Sequence, residues 1–321
     1  MLTIRVGLLT IGSNIVTKRE ISRVGRVLVG ISSWQDKTIL ESGFYPQEIN
    51  TPEDRLHYYA RHFPLAELDS TFYAFPTSRN LDLWINSTPS DFIFDLKPFS
   101  LFTTHPTPLN AIPRAVREKF DDQIPQKPRL YMSNLSQKIA DELWEGFAEA
   151  VEPLNSAGKL GAILFQFPPW FHPSPENFEY LGGCRERLKR HRIAVEFRTG
   201  KWLDDDHLSE TLDFLKEHEV TLICVDEPQG LKSSVPPLAQ ATASLGLVRF
   251  HGRNRENWER KGIPSAERFK YLYRQEELKE WAPKVKQMAG ETEELHLIFK
   301  NKYRDFSVKN AFMMKQLLGL Q

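Results

Sequence analysis

The sequence predicts a single-domain α/β protein, a (β/α)8 TIM barrel with a long insertion after its third strand. Eight apolar, β-branched runs of strand length recur along the 321 residues. Helical patterns lie between them, which is the order of a parallel sheet. The runs are almost continuously apolar, as parallel strands covered on both faces require. Eight rounds of strand and helix fit a closed barrel better than an open sheet.

The strand runs are 27–32, 65–72, 92–97, 161–167, 192–198, 220–226, 247–251 and 295–301. A helix over 52–63 follows the first, with Thr51 placed to cap it and Pro52 suited to its first turn. Helices over 79–86, 141–154, 175–190 and 206–218 follow the second to fifth strands, and 276–288 and 308–318 follow the seventh and eighth. The sixth connection, 228–246, is irregular and holds at most a short helix. No linker, low-complexity tract or repeat interrupts the series. One barrel domain is therefore expected over 27–318, behind a peripheral extension at 1–26. That extension is mildly apolar but shows no small-residue cleavage site before Lys18 and Arg19, so it reads as a dispensable segment, or as a start codon assigned too early, and not as a signal peptide.

Composition narrows the function classes. The chain has 42 basic and 42 acidic residues, so bulk charge makes no case for nucleic acid or an anionic membrane. Its two cysteines, Cys184 and Cys224, form no CxxC motif and suit a reducing, cytoplasmic compartment. Cys224 lies in an apolar run and reads as a small core residue. No apolar stretch approaches the ~20 residues of a membrane helix. The absence of GxGxxG, Walker, HExxH and GxSxG patterns leaves nicotinamide, nucleoside-triphosphate, zincin and serine-hydrolase readings without local support.

Alternation then sorts each strand into a helix-facing and a lumen-facing set. In the fifth, Ile193, Val195 and Phe197 face out, while Glu196 and Arg198 face in. In the seventh, Val248 and Phe250 face out and Arg249 and His251 face in. In the third, Asp95 and Lys97 face in; in the second, Glu67, Asp69, Thr71 and Tyr73 do. Asp226 shares a face with Cys224, and Ser32 and Trp34 share one with Gly30. At the eighth strand either Lys300 or Asn301 points in. Five carboxylates (Glu67, Asp69, Asp95, Glu196, Asp226) thus share one lumen with Lys97, Arg198, Arg249 and His251. Buried ion pairs rarely beat apolar packing for stability, so this concentration points to a working mouth at the strand C-terminal ends. The following loops add Arg253 and Arg255, then Lys302 and Arg304, where many barrels bind phosphate. Trp34, Tyr73, Trp170, Trp202 and Trp258 lie at or after strand ends, where they could stack on sugars or bases.

The strand ends also carry a resemblance. GISSW (30–34), FYP (44–46), LDSTFYAFP (68–76), FQFPPWF (165–171), AVEFR (194–198) with KW (201–202), VDEP (225–228), RFHGRN (249–254) and FKN…NA (299–311) are similar, together and in order, to the YecE-like family, domain of unknown function 72. The resemblance runs over about 27–318. It implies a TIM barrel and no established reaction; likeness of fold to endonuclease-IV-like and sugar-isomerase-like barrels does not carry function. This chain has Lys300–Asn301 where the family often has paired asparagines.

Three functions are expected to compete. In the first, a hydrolase, lyase or isomerase acts on a polar sugar- or phosphate-bearing substrate. Glu196 serves as acid or base, Asp69 and Asp226 as the second carboxylate, and His251 as proton shuttle. Lys97, Arg198, Arg249 and Arg253 hold the anionic group, and Trp34, Tyr73, Gln166 and Asn301 orient substrate. A divalent-metal version draws on Asp69, Glu196, Asp226 and His251. In the second, Arg253, Arg255, Lys300, Lys302 and Arg304 grip nucleic acid. In the third, the mouth binds an anionic metabolite without turnover.

Overall fold

Eight parallel strands close into a barrel in which each pairs with the next in sequence and the last pairs with the first. They are β1 (Arg26–Ile31), β2 (Leu65–Leu68), β3 (Ile93–Leu96), β4 (Leu160–Gln166), β5 (Ile193–Glu196), β6 (Thr221–Asp226), β7 (Leu245–Phe250) and β8 (Glu294–Phe299). This computed structural model describes residues 24–320. The expected N-terminal extension lies almost wholly outside the described residues, and the barrel opens at Arg26, one residue before the expected boundary.

The helices wrap the strands as the periodicity predicts: α1 (Pro52–Ala60), α2 (Ser78–Asn86), α3 (Gln137–Ser156), α4 (Pro175–Arg187), α5 (Leu208–Glu217), α6 (Gln275–Glu291) and α7 (Phe306–Leu318). The Thr51 hydroxyl accepts from the Asp54 backbone N–H and caps α1, with Pro52 in its first turn. Along α3, Ile139, Leu143, Trp144, Phe147, Val151 and Leu154 form the buried stripe. The connection after β6 carries no helix. The insertion after β3 holds a short antiparallel pair (Thr107–Pro108 with Arg129–Leu130) and the helix Arg114–Lys119. It is fastened by Phe102, which stacks on Trp144 of α3 at 3.8 Å.

Several strands end earlier than their apolar runs. β2 stops at Leu68, and Ser70–Phe72 winds a 3-10 turn. The Thr71 hydroxyl there donates to the carbonyl of Lys97 (2.6 Å), so Thr71 serves the backbone and not the lumen. β5 stops at Glu196. At the N-terminal end of the lumen, Asp95 takes a bond from the Ala162 N–H (2.8 Å) and pairs with His296 (2.8 Å). The second ring nitrogen of His296 meets Glu294 (2.9 Å), which in turn meets Arg192 (3.0 Å). Gly161 makes room for this group: a Cβ there would stand 2.4 Å from the Asp95 carboxylate. Burial would lower the His296 pKa, yet Asp95 and Glu294 raise it to about 9.

Candidate functional site

Register fixes which side chains reach the mouth. Residues paired across parallel strands point the same way. Gln166 of β4 pairs with Glu196 of β5, Val225 of β6 with Arg249 of β7, and Arg249 with Ile298 of β8. Gln166, Glu196, Arg249 and, two residues beyond Ile298, Lys300 therefore enter one lumen. Two residues past Val225, Glu227 joins them.

Glu196 is the centre. Fully buried, it is clasped by Arg249, which also holds Glu67 on the opposite wall at 2.6 Å. It accepts from Gln166 (2.8 Å) and Arg198 (3.2 Å), and meets His251 Nε2 at 3.1 Å. Burial would raise the Glu196 carboxyl, but Arg249, then His251 and Arg198, hold it well below the usual carboxylate range. Burial likewise lowers His251 to about 3 against the pull of Glu196. The neutral ring donates from Nε2 to Glu196, and its Nδ1 makes no hydrogen bond among the described residues.

Arg198 links this centre to a second carboxyl. Its guanidinium lies over Trp258 (4.7 Å), and Nη1 stands 3.4 Å from Glu227. Glu227 is buried, accepts from the Val235 N–H (2.8 Å), and is pushed up to about 7 by burial, against Arg198 and with Glu196 and Asp226 adding to the rise.

On the β2 side Asp69 is the most open of these groups, with its side chain one-quarter exposed. Lys97 reaches it at 3.0 Å, Lys302 hydrogen-bonds it, and Lys300 stands 3.9 Å away. Burial would raise Asp69, but the cations Lys302 and Lys97 beside it hold it well below its ordinary value. Lys97 also donates to Gln166 (3.0 Å). Beyond Lys97 runs an aromatic rim of successive ring contacts from Tyr73 through Phe72 and His105 to Trp170. Tyr73 and Trp170 are its exposed ends. A cavity of about 990 Å³ lies mostly along α1 and α2, with Pro52, Glu53, Arg79 and Asn86 among its walls, and reaches the mouth at Glu67 and Asp69.

The same barrel is found elsewhere. Residues 28–321 match the family model described as "Protein of unknown function DUF72". The chain belongs to the DUF72 family. It is 31% identical over 300 residues to the UPF0759 protein YunF of Bacillus subtilis, covering 92% of this chain and 95% of that one. Crystal structures of DUF72 family proteins superpose on it. That from Enterococcus faecalis has a TM-score of 0.74 at 28% identity, covering 92% of this chain and 96% of its own. That from Thermotoga maritima has a TM-score of 0.70 at 31% identity, covering 92% and 99%.

Within this DUF72 barrel several expected positions need correction. Asp226 pairs in register with the helix-facing Phe250 and points away from the lumen. Its carboxylate accepts from the Trp281 indole (2.7 Å), the Tyr273 hydroxyl (2.6 Å) and Arg253 (2.7 Å), tying β6 to α6. Arg253 is thereby engaged, with Glu280 as a further partner at 2.8 Å. The metal set of Asp69, Glu196, Asp226 and His251 is not brought together. Among the described residues no group of three or more His, Cys, Asp or Glu could hold a metal ion. Asn301 also turns to the helix side, donating to Tyr271 O and Asn310 (both 2.8 Å), and Lys300 takes the lumen position. Tyr73 lies beyond the end of β2, exposed on the rim instead of inside the barrel. Trp34 is buried against Tyr59 and Phe94 and forms part of the cavity wall. Trp202 and Trp258 are buried as well. Arg255 is spent on the carbonyls of the loop after β6. The tuned carboxyl expected at Glu196 is found at Glu227, within the VDEP motif but one residue past the one singled out.

Proposed function

We propose that this DUF72 protein is an enzyme that acts by proton transfer on a small polar substrate bearing an anionic group, at the C-terminal mouth of its barrel. One observation carries the reading: an unbroken polar chain joins the open Asp69 to the buried Glu227. It runs through Lys97 (3.0 Å), Gln166 (3.0 Å), Glu196 (2.8 Å) and Arg198 (3.2 Å), whose Nη1 reaches Glu227 at 3.4 Å. A scaffold gains little from such a chain, because desolvating each charge offsets most of what its pairing returns. Lys97, Lys302 and Arg198 are the most exposed cations of the mouth and would hold the anionic group. Glu227 would give and take the proton, since a carboxyl at about 7 exchanges at neutral pH. Glu196 and Arg249 would keep the geometry. Tyr73 and Trp170 on the rim suit the apolar face of a sugar ring. Hydrolase, lyase and isomerase chemistries all use these parts.

The test is a thermal-shift panel of phosphorylated and carboxylated sugars, with turnover assayed on every stabilising compound. Stabilisation should disappear in Arg198→Met. Glu227→Gln should keep binding, lower turnover by about 10²-fold or more, and remove a limb of the pH profile near 7. Glu227 loses its proton as pH rises through that value, so a step that needs the acid slows on the alkaline side. A panel with no stabilising compound, or stabilisation indifferent to Arg198→Met, would sink the reading.

A further inference from the structure

We propose that Lys300 is a nucleophile of this mouth and forms an imine with the carbonyl group of an anionic aldehyde or ketone. The inference rests on the proposed mouth and narrows its substrate to a carbonyl compound. Position carries it. Lys300 follows the last residue of β8 and enters the lumen with its side chain 6% exposed. Its Nζ makes no hydrogen bond with the described residues; Glu67 Oε1 stands at 3.6 Å and Asp69 Oδ1 at 3.9 Å. Both carboxylates are claimed at shorter range, Glu67 by Arg249 at 2.6 Å and Asp69 by Lys97 at 3.0 Å and by Lys302. Lys300 is therefore a buried amine with no committed counter-ion, set among Arg249, Lys97 and Lys302. Such surroundings favour the neutral amine, the form with a lone pair to donate. Burial and Arg249, with Lys97, push its pKa well down against the pull of Asp69 and Glu67.

The chemistry balances without an added oxidant or reductant. The Nζ lone pair attacks the carbonyl carbon and a C–N bond forms. The C=O π pair moves to oxygen, which takes a proton from the amine to give a carbinolamine. A further proton from solvent lets that oxygen leave as water, and the protonated imine remains. The imine withdraws electrons from the neighbouring carbon, so a C–H or C–C bond there can break, with Glu227 or His251 Nδ1 able to handle the proton. Hydrolysis returns the amine. Lys97 and Lys302 flank the position and suit a carboxylate or phosphate on the same molecule.

The experiment traps the imine. The full-length protein is incubated near neutral pH with cyanoborohydride and either glyoxylate or dihydroxyacetone phosphate, then read by intact mass and peptide mapping. One reduced adduct per chain on Lys300, absent from Lys300→Met, is expected. No adduct on Lys300 with either probe, or adducts spread over surface lysines, overturns the proposal. Because Lys300→Met could fail to fold, a second measurement uses the unaltered protein: competitive acetylation across pH. Each unit by which an amine's pKa falls moves its labelling profile down by one pH unit. Lys300 should reach half its plateau at lower pH than Lys37, whose side chain is 86% exposed; an equal or higher midpoint overturns the proposal. Dihydroxyacetone phosphate binding is followed in parallel by thermal shift. Binding that needs Arg198 without any adduct removes the imine and leaves the proposed mouth standing. Loss of both removes the two together.

Discussion

Arg249 shows how much one side chain can hold. It is fully buried and bonded to two fully buried carboxylates, Glu67 and Glu196, on strands across the lumen. Arg249→Met would leave both acids without their main counter-charge. Breaking one buried pair typically costs about 3–5 kcal/mol, and the urea midpoint should fall accordingly. Arg249→Lys should recover only part, because an ammonium cannot make the two-armed contact of a guanidinium. Residues such as Glu196, Arg249 and Lys97 were legible in the sequence because each lies in, or directly after, a strand whose other face is bulky and apolar. Asp226 was not. In Thr221–Asp226 both faces are apolar apart from the ends, so alternation groups Asp226 with Cys224 correctly but cannot tell inside from outside. Only the register against β7 decides it. Lys300 and Asn301 pose the same problem, being adjacent polar residues at the end of a run apolar on both faces.

Asp226 acts at the scale of the elements. Its carboxylate gathers the end of β6, Trp281 of α6, and Tyr273 and Arg253 from the connection after β7. Asp226→Ala would strand three buried or half-buried donors, and about 3–5 kcal/mol of stability should go with it. Asp226→Asn should recover part of that loss, since its amide oxygen still accepts. Limited proteolysis should show the segment after β7 opening first. A second test at this scale concerns β1 and β2. A Cβ on Gly30 would stand 2.0 Å from the Leu65 carbonyl oxygen, so Gly30→Ala must push two paired strands apart. A cost of about 1–3 kcal/mol is expected, checked by the same urea titration. The elements were largely legible because the apolar runs and caps agree. The ends of β2 and β5 were not, because the ladder there gives way to turns that the local hydrophobicity does not announce.

For the whole molecule, the lumen divides into two charged storeys. The lower, Asp95–His296–Glu294–Arg192, makes stability depend on pH with a definite sign. His296 holds its proton more tightly folded (about 9) than unfolded, near 6.5. Its contribution is complete below the unfolded value and is lost as pH rises through about 9. Glu294 is held down to about 2, chiefly by His296 and Arg192 against burial. Its contribution is present above its ordinary value and is lost as pH falls through about 2. Urea unfolding from neutral pH to about 10 should show a decline that His296→Gln flattens; an unchanged slope in that variant would remove the assignment. The fold class was legible in the sequence. The division of the lumen was not, since it required finding His296 as the partner of Asp95 across the barrel.

Asp226 and Glu227 are joined by one peptide bond and serve opposite sides of the wall, the first the scaffold and the second the mouth. A strand built this way has a reading frame. One residue added within 221–225 would exchange the two acids, sending the neutral-range carboxyl into the helix layer and the tether into the lumen. One added at the exposed turn 260–262 shifts neither. Length variation in descendants of this chain should therefore collect in such turns and avoid β6, and a scan of single-residue insertions would map that boundary directly.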